Sequence, residues 1–141
     1  NLFRVVGNSP AALEGYLGLN GALGKGEIDA KTRERIALAV AEINGCDYCL
    51  AAHTLFAGKA GLSGEDILSA RHGQLNAFAA LARQVTESRG HLSSEQIQTA
   101  RAAGIDDARI VEVIAHVASQ TLTNYLNNVA LTEVDFPAID A

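Results

Sequence analysis

The sequence predicts an all-α protein that folds as one helical bundle, and three observations support this class. Alanine, the residue with the highest helix propensity, occurs 25 times among 141 residues. Several segments repeat apolar residues at intervals of three or four behind a side chain that suits a helix N-cap. The one candidate strand, Thr132 to Phe136, is cut short by Pro137. We therefore expect a single domain over residues 1–141.

The first predicted helix runs from Pro10 to about residue 23. Ser9 is a good N-cap, and proline is favoured at the first helical position because its missing N–H would have no partner there. Glycines at positions 24 and 26 end the segment. The positions that we expect on its buried side are Leu13, Tyr16, Leu17 and Leu23.

Two helices follow in close succession. Asp29 is a suitable N-cap for a helix over residues 30–44, and Asn44-Gly45 is typical of a helix end in the left-handed conformation. The next helix begins near Cys46 or Asp47 and continues to about residue 59, where glycines close it. The apolar residues that share one face of the earlier helix are Ile36, Val40 and Ile43.

Three helices are predicted in the middle of the chain. Ser63 to Asp66 and Ser93 to Gln96 each have the form of a capping box, which predicts short helices ending near Arg71 and Gly104. Residues 76–89 between them form an amphipathic segment. The apolar side of that segment consists of Phe78, Leu81, Ala82 and Val85.

The last predicted helix is the longest and begins at Asp106 or Asp107. Apolar residues between Ile110 and Val129 cover nearly two of its faces. A helix this apolar is typical of the centre of a core or of a subunit interface. Because one chain of this length does not easily bury so much apolar surface, we expect a homo-oligomer.

Charge and hydropathy exclude several classes of partner. The net charge is −5, and the 11 lysines and arginines are scattered, so we expect neither nucleic acid nor a membrane surface as a partner. Aromatic residues make up 5%, too few for base-stacking platforms. No run approaches 18 apolar residues, and no basic segment precedes an apolar one at the N-terminus. These features lead us to expect a cytoplasmic protein.

The least random feature is the pair Cys46 and Cys49, followed by His53. At 100° per residue, the offsets from Cys46 are about 300° for Cys49 and about 340° for His53, so all three share a stripe roughly 60° wide. The partial positive charge at a helix start favours a thiolate at Cys46. Two thiols in the first turn can close a disulfide while the imidazole takes or gives a proton. The pattern indicates thiol redox chemistry.

Other interpretations of these residues remain open. Cys46, Cys49 and His53 could supply three ligands of a zinc site, but no second Cys pair or close His pair completes a tetrahedral set. The thioredoxin class also uses two cysteines at this spacing, but in a βαβ context that is missing here. We expect no metal and no cofactor. We interpret His72 and His91 as surface or turn residues and His116 as a core or interface histidine.

Glu34 lies twelve residues before Cys46, which gives the pattern Glu-x11-Cys-x-x-Cys-x-x-x-His. This pattern resembles the active-site signature of the alkylhydroperoxidase D (AhpD) family, within the carboxymuconolactone decarboxylase-like superfamily. The resemblance extends over roughly Leu13 to Ile67, and the remaining chain is similar to small peroxidase-related proteins of that group. It implies an all-α fold that assembles into trimers or hexamers.

The resemblance also implies an activity and a role for each residue. By this analogy the protein reduces hydroperoxides as an antioxidant, with electrons from an external thiol or a lipoyl-type reductant. Cys49 matches the peroxidatic cysteine, and Cys46 matches the resolving cysteine, which forms the disulfide. His53 matches the histidine that deprotonates the nucleophile, and Glu34 matches the carboxylate that completes the proton relay.

Tyr48 marks a departure from the family pattern. The founding alkylhydroperoxidase has a second histidine between its cysteines, and a phenol that titrates near pH 10 cannot act as a base at neutral pH. Tyr48 could still donate a hydrogen bond to an intermediate, so we assign it a possible supporting role. Two alternatives remain open: a decarboxylase-like enzyme of the same fold, which does not depend on the cysteine pair, and a general thiol–disulfide oxidoreductase or redox sensor.

Overall fold

The computed structural model describes residues 1–137, and within that range it consists of eight α-helices without a strand. This confirms the predicted all-α class. No helix in the described part is long and apolar enough to cross a membrane. The helices are α1 (Leu2–Val6), α2 (Pro10–Leu23), α3 (Ala30–Asn44), α4 (Asp47–Lys59), α5 (Gly64–Arg71), α6 (Ala77–Ser88), α7 (Ser94–Ala102) and α8 (Asp107–Ala130).

The predicted capping residues begin the helices that they were expected to begin. Ser9 and Asp29 each accept a hydrogen bond from the backbone N–H three residues later. Both predicted capping boxes, at Ser63 and Ser93, are complete in the structure. The α8 cap is Asp106, which accepts the Arg109 N–H. Short side chains that satisfy free N–H groups therefore account for most helix starts.

Helix α3 lies at the centre of the fold, with α4, α5, α6 and α8 packed around it. Its residues from Ile36 to Ala41 are all 0–1% exposed. One side of α3 places Ile36 and Val40 in a core shared with α6 and α8. The other side places Leu38 and Ala41 in a second core with the start of α4. Because α3 contributes to both cores, it holds the first turn of α4 in a fixed position.

Helix α8 covers one side of α3 and leaves an apolar face uncovered. The buried face includes Val113, Val117 and several polar residues. The exposed apolar side chains are Val111, Ile114, Leu122, Tyr125 and Val129. The sequence predicted that this helix lies either at the centre of the core or at a subunit interface. The centre of the core is occupied by α3 instead. The interface location stays a prediction.

Three details differ from the sequence predictions. Leu17 is 49% exposed although we expected it to be buried, because α2 packs mainly on α1 and α8 and lies at the edge of the bundle. Helix α1 was not predicted, since five residues are too few to show a periodic pattern. The candidate strand from Thr132 to Phe136 is an irregular segment, with Phe136 packed against the second core.

Candidate active site

The two cysteines lie at the N-terminus of α4 and are joined as a disulfide, with Cα atoms 5.3 Å apart. Gly45, in the left-handed conformation at φ 60°, ends α3 and lets α4 begin almost at once. Cys46 is the N-cap of α4, and its Sγ accepts the Cys49 N–H at 3.3 Å. The free N–H groups of the first turn favour negative charge on sulfur at this end of the helix.

The two sulfur-bearing residues differ in what they face. Cys46 is completely buried, whereas Cys49 lines a cavity of about 580 Å³. Cavities of about 300–1,000 Å³ are typical of sites for small organic ligands. Cys49 is therefore the sulfur that a substrate in this cavity can reach.

Glu34 and His53 form a pair on the wall of the same cavity. The His53 Nδ1 lies 2.7 Å from the Glu34 Oε2, and both side chains are about one-fifth exposed. A carboxylate at Nδ1 holds the proton of a neutral imidazole there and leaves Nε2 as the basic nitrogen. Among residues 1–137, no hydrogen bond joins His53 to either cysteine. The pair thus presents an oriented imidazole to the same cavity that Cys49 lines.

Asn127 is a site residue that sequence reasoning missed. Its Nδ2 donates a hydrogen bond to the Cys49 Sγ at 3.3 Å, and the residue is 3% exposed. It belongs to a row on α8 whose spacing of four, three and four residues places it on one helical face. The members of this row, all of which line the cavity, are His116, Gln120, Thr123 and Asn127. The sequence does contain a signal for this residue, because a row of polar side chains on one face of an otherwise apolar helix indicates that this face has a function other than packing.

His116 is buried, as expected of a core histidine, but it also lines the active-site cavity. Burial lowers the pKa of its imidazole below 6.5, and the positive charge of Arg33 lowers that pKa further. His116 is therefore neutral at neutral pH. His72 and His91 are exposed, as predicted, and neither lines this cavity.

Tyr48 lies on the cavity wall, but its hydroxyl points to the start of the chain. The phenol oxygen accepts the Leu2 N–H at 3.1 Å, and its ring stands edge-on to Phe136 with centroids 5.3 Å apart. Burial raises the pKa of Tyr48 above 10, so the phenol stays protonated at neutral pH. Tyr48 thus connects α4 to α1 through a hydrogen bond. Its possible supporting role in catalysis stays a prediction.

Aromatic rings line the cavity next to His53. Phe56 stands edge-on to His53 and to Phe136, with centroid separations of 6.0 and 5.9 Å. Phe3 and Tyr16 add two more rings to the lining. In the described part of the chain, no group of three or more His, Cys, Asp or Glu side chains is arranged to hold a metal ion. The cavity therefore combines the Cys49 sulfur, an oriented imidazole and an apolar, aromatic wall.

The structure thus defines a class of helical bundles that carry a cysteine pair at a helix N-terminus and a carboxylate–histidine pair on the wall of one cavity. The chain belongs to the carboxymuconolactone decarboxylase family, whose family model matches residues 10–86. This confirms the family that the motif predicted. An uncharacterized protein of Haemophilus influenzae is 49% identical over 45 residues, which are 31% of this chain and 40% of that relative. The matched segment thus spans less than half of the relative.

Two solved structures share the fold. An uncharacterized peroxidase-related protein from Silicibacter sp. TM1040 has a TM-score of 0.80 at 19% identity, covering 94% of this chain and 75% of its own. The debrominase Bmp8, solved with 2,3,4-tribromopyrrole, has a TM-score of 0.78 at 18% identity, covering 92% and 73%. At these identities the likeness establishes the fold alone.

Proposed function

We propose that this protein is a thiol-dependent reductase of organic hydroperoxides. The observation that carries the proposal is that one sulfur of a cysteine pair, Cys49, faces a cavity that also contains the His53–Glu34 pair. The family and the peroxidase-related structural neighbour support an enzyme of this general type.

The reaction proceeds in three balanced steps. The Cys49 thiolate attacks the terminal oxygen of ROOH, the O–O bond breaks, and the products are a sulfenic acid and an alcohol ROH after protonation. The Cys46 thiol then attacks the sulfenic sulfur, which forms the disulfide and releases water. Two external thiols finally reduce the disulfide and leave as their own disulfide. Two electrons pass from the external thiols to the hydroperoxide.

His53 accepts and then donates the proton that is transferred in the first step. Because Glu34 orients the ring through Nδ1, the opposite nitrogen Nε2 accepts the Cys49 proton, directly or through one water. The same nitrogen returns the proton to the departing alkoxide. General acid–base catalysis by an oriented imidazole contributes about 10²–10⁴-fold to a rate.

The cavity favours a hydroperoxide with a sizeable apolar body. Its volume of about 580 Å³ is much larger than hydrogen peroxide needs, and Phe56, Phe136 and Tyr48 form an aromatic wall. Burial of apolar surface contributes about 25 cal/mol per Å². An aryl or long-chain hydroperoxide therefore binds better than hydrogen peroxide.

The reductant approaches through the same cavity. Since Cys46 is completely buried, an incoming thiolate reaches the Cys49 sulfur first and forms a mixed disulfide there, with Cys46 leaving. A small thiol or a lipoyl group on a flexible arm has the slender shape that this route requires.

A peroxide-consumption assay tests the proposal. With a dithiol donor in excess, wild type should consume cumene hydroperoxide and Cys49→Ser should not. Wild-type turnover that survives in Cys49→Ser would overturn the proposal. A decarboxylase-like activity would be recognised because it survives when both cysteines are replaced.

Reductive dehalogenation is a second candidate, favoured by the aromatic wall beside the cysteine pair. The same dithiol can supply two electrons to a brominated aromatic ring, which replaces C–Br by C–H and yields the disulfide, a bromide ion and a proton. A debrominase shares this fold. Bromide release from a bromopyrrole, measured with stoichiometric disulfide formation, would select this activity over peroxide reduction.

We also propose that the protein forms a homo-oligomer through the uncovered face of α8. This face borders an apolar cavity of about 810 Å³ that is lined mainly by α6 and α8 and also by Val5, Asn44 and Arg89. From Val113 to Ala130 the helix has no Asp, Glu, Lys or Arg. Depletion of charge is typical of the core of a protein interface, and a second copy of the chain offers the same uncharged surface.

A further inference from the structure

The side chain of Asn127 is hydrogen-bonded to the Cys49 sulfur. Its Oδ1 is buried without a partner, so within the described residues the Cys49 Sγ is the only group to which this side chain hydrogen-bonds. A buried polar atom without a partner destabilises a fold, by about 1–3 kcal/mol. An amide that is kept here for packing alone would be better replaced by an apolar side chain.

The two sulfurs receive different hydrogen bonds. The Cys46 sulfur accepts a backbone N–H at the helix start, an arrangement that by itself favours the thiolate on Cys46. The Cys49 sulfur accepts the amide of Asn127, while His53 makes its hydrogen bond to Glu34. Hydrogen bonds to the charged form of a group favour that form.

We propose that Asn127 is a positioning residue whose amide N–H stabilises the Cys49 thiolate and makes Cys49, rather than Cys46, the nucleophile. The inference deepens the proposed function, because it takes Cys49 as the reacting sulfur. As a neutral donor, Asn127 stabilises negative charge on sulfur at any pH at which the fold persists. The titratable groups that line the same cavity are the amino group of Asn1, Tyr16 of α2, Arg33 and Glu34 of α3, Tyr48 and His53 of α4, His116 of α8, and Asp135.

The test measures thiol ionisation in single-cysteine proteins and needs no peroxide. In Cys46→Ser only Cys49 can react, and serine preserves the N-cap. Asn127→Leu in this background should raise the Cys49 pKa by about one to two units, as expected for a lost hydrogen bond to a charged group. In Cys49→Ser the same substitution should leave the Cys46 pKa unchanged. The readout is the pH dependence of the ultraviolet absorbance of the thiolate, which also reports on the buried Cys46 sulfur, together with iodoacetamide alkylation for Cys49.

Asn124→Leu is the matched control. Asn124 is completely buried on α8, one turn before Asn127, and it hydrogen-bonds Asn44 rather than a cysteine. This control should leave the Cys49 pKa unchanged. If Asn127→Leu also leaves that pKa unchanged in a folded protein, or if both variants raise it equally, the proposal is wrong.

A second measurement requires no substitution at Asn127. In reduced Cys46→Ser, the side-chain amide protons of Asn127 should move downfield in NMR spectra as Cys49 ionises, with a midpoint equal to the alkylation pKa. Amide resonances that do not respond across that titration would overturn the proposal even if Asn127→Leu fails to fold. Loss of peroxidase activity alone would count against the proposed function and would leave this result unaffected.

Discussion

Glu34 and His53 lie nineteen positions apart on two different helices, yet their side chains meet at 2.7 Å on the wall of the cavity that Cys49 lines. The central helix α3 supplies the carboxylate, and α4 supplies both the imidazole and the cysteine pair. Since α3 and α4 share a buried core, the pair is held by the fold itself. The packing of α3 against α4 therefore fixes the orientation of the His53 ring.

The first prediction concerns this pair. His53→Gln should lower the rate of cumene hydroperoxide reduction by about 10²–10⁴-fold, the usual contribution of a general base. Glu34→Gln should lower it less, because the ring remains but loses its orientation. Since the two residues act as a unit, the double variant should be no slower than His53→Gln alone.

Glu42→Gln provides a control on the same helix. Its carboxylate is half-buried and pairs with Arg71 at 2.6 Å, away from the cavity. This variant should keep the wild-type rate. If the effects of Glu34→Gln and His53→Gln simply multiply, the two side chains do not work as a relay.

The second prediction concerns Gly45, which directly precedes the cysteine pair, and Gly58, at the opposite end of α4. Gly45 has φ 60°, so Gly45→Ala should lower the free energy of unfolding by about 1–2 kcal/mol, the cost of a left-handed alanine. Gly58 lies inside α4 with open space around it, so Gly58→Ala should raise that free energy by about 0.5–1 kcal/mol. Urea unfolding of the reduced proteins measures both. Shifts of the same sign would show that the α3–α4 junction does not depend on the left-handed glycine.

The third prediction is a pH dependence of stability that originates at His116. Burial and Arg33 hold its pKa in the folded protein below the ordinary 6.5, so the unfolded chain binds the proton more readily. The stabilising effect is complete above pH 6.5 and is lost as the pH falls through the lower folded value. One proton limits the slope to about 1.4 kcal/mol per pH unit.

His116→Gln should therefore flatten the stability curve below pH 6.5, measured by urea unfolding at several pH values. His72→Gln is the comparison, because His72 is exposed and should leave the curve unchanged. A wild-type slope that persists in His116→Gln would assign the pH dependence to other groups.

The fourth prediction concerns the uncovered face of α8. Leu122→Glu places a charge on this face and should shift the protein to a smaller species in light scattering at micromolar concentration. Leu68→Glu is the control, since Leu68 is exposed at 49% on α5, which packs on α3 and α4. A wild-type protein that is monomeric at this concentration would contradict the assembly.

Local chemistry made much of the fold predictable from the sequence. Ser9, Asp29, Ser63 and Ser93 begin their helices as expected because a capping side chain satisfies N–H groups within three residues. The central position of α3 was harder to predict from the sequence. Three of its six buried residues from Ile36 to Ala41 are alanine, so its sequence carries less apolar bulk than α8 does.

The candidate site divides in the same way. Cys46, Cys49 and His53 were predictable as neighbours because they share one helical stripe, and Glu34 followed from a family spacing. Asn127 lies 78 positions from Cys49, and only the packing of α8 on α4 brings the two together. In a single sequence, the only sign of such a contact is a polar residue at a helix position where an apolar residue is expected.

Titration of free thiols before and after one equivalent of cumene hydroperoxide tests the central claim most directly. The reduced protein should lose both thiols, and intact mass should fall by two hydrogens within one chain, which corresponds to the Cys46–Cys49 disulfide. Cys46→Ser should instead stop at a sulfenic acid on Cys49. Two thiols that remain free after the peroxide has been added would contradict a peroxide-reducing cysteine pair.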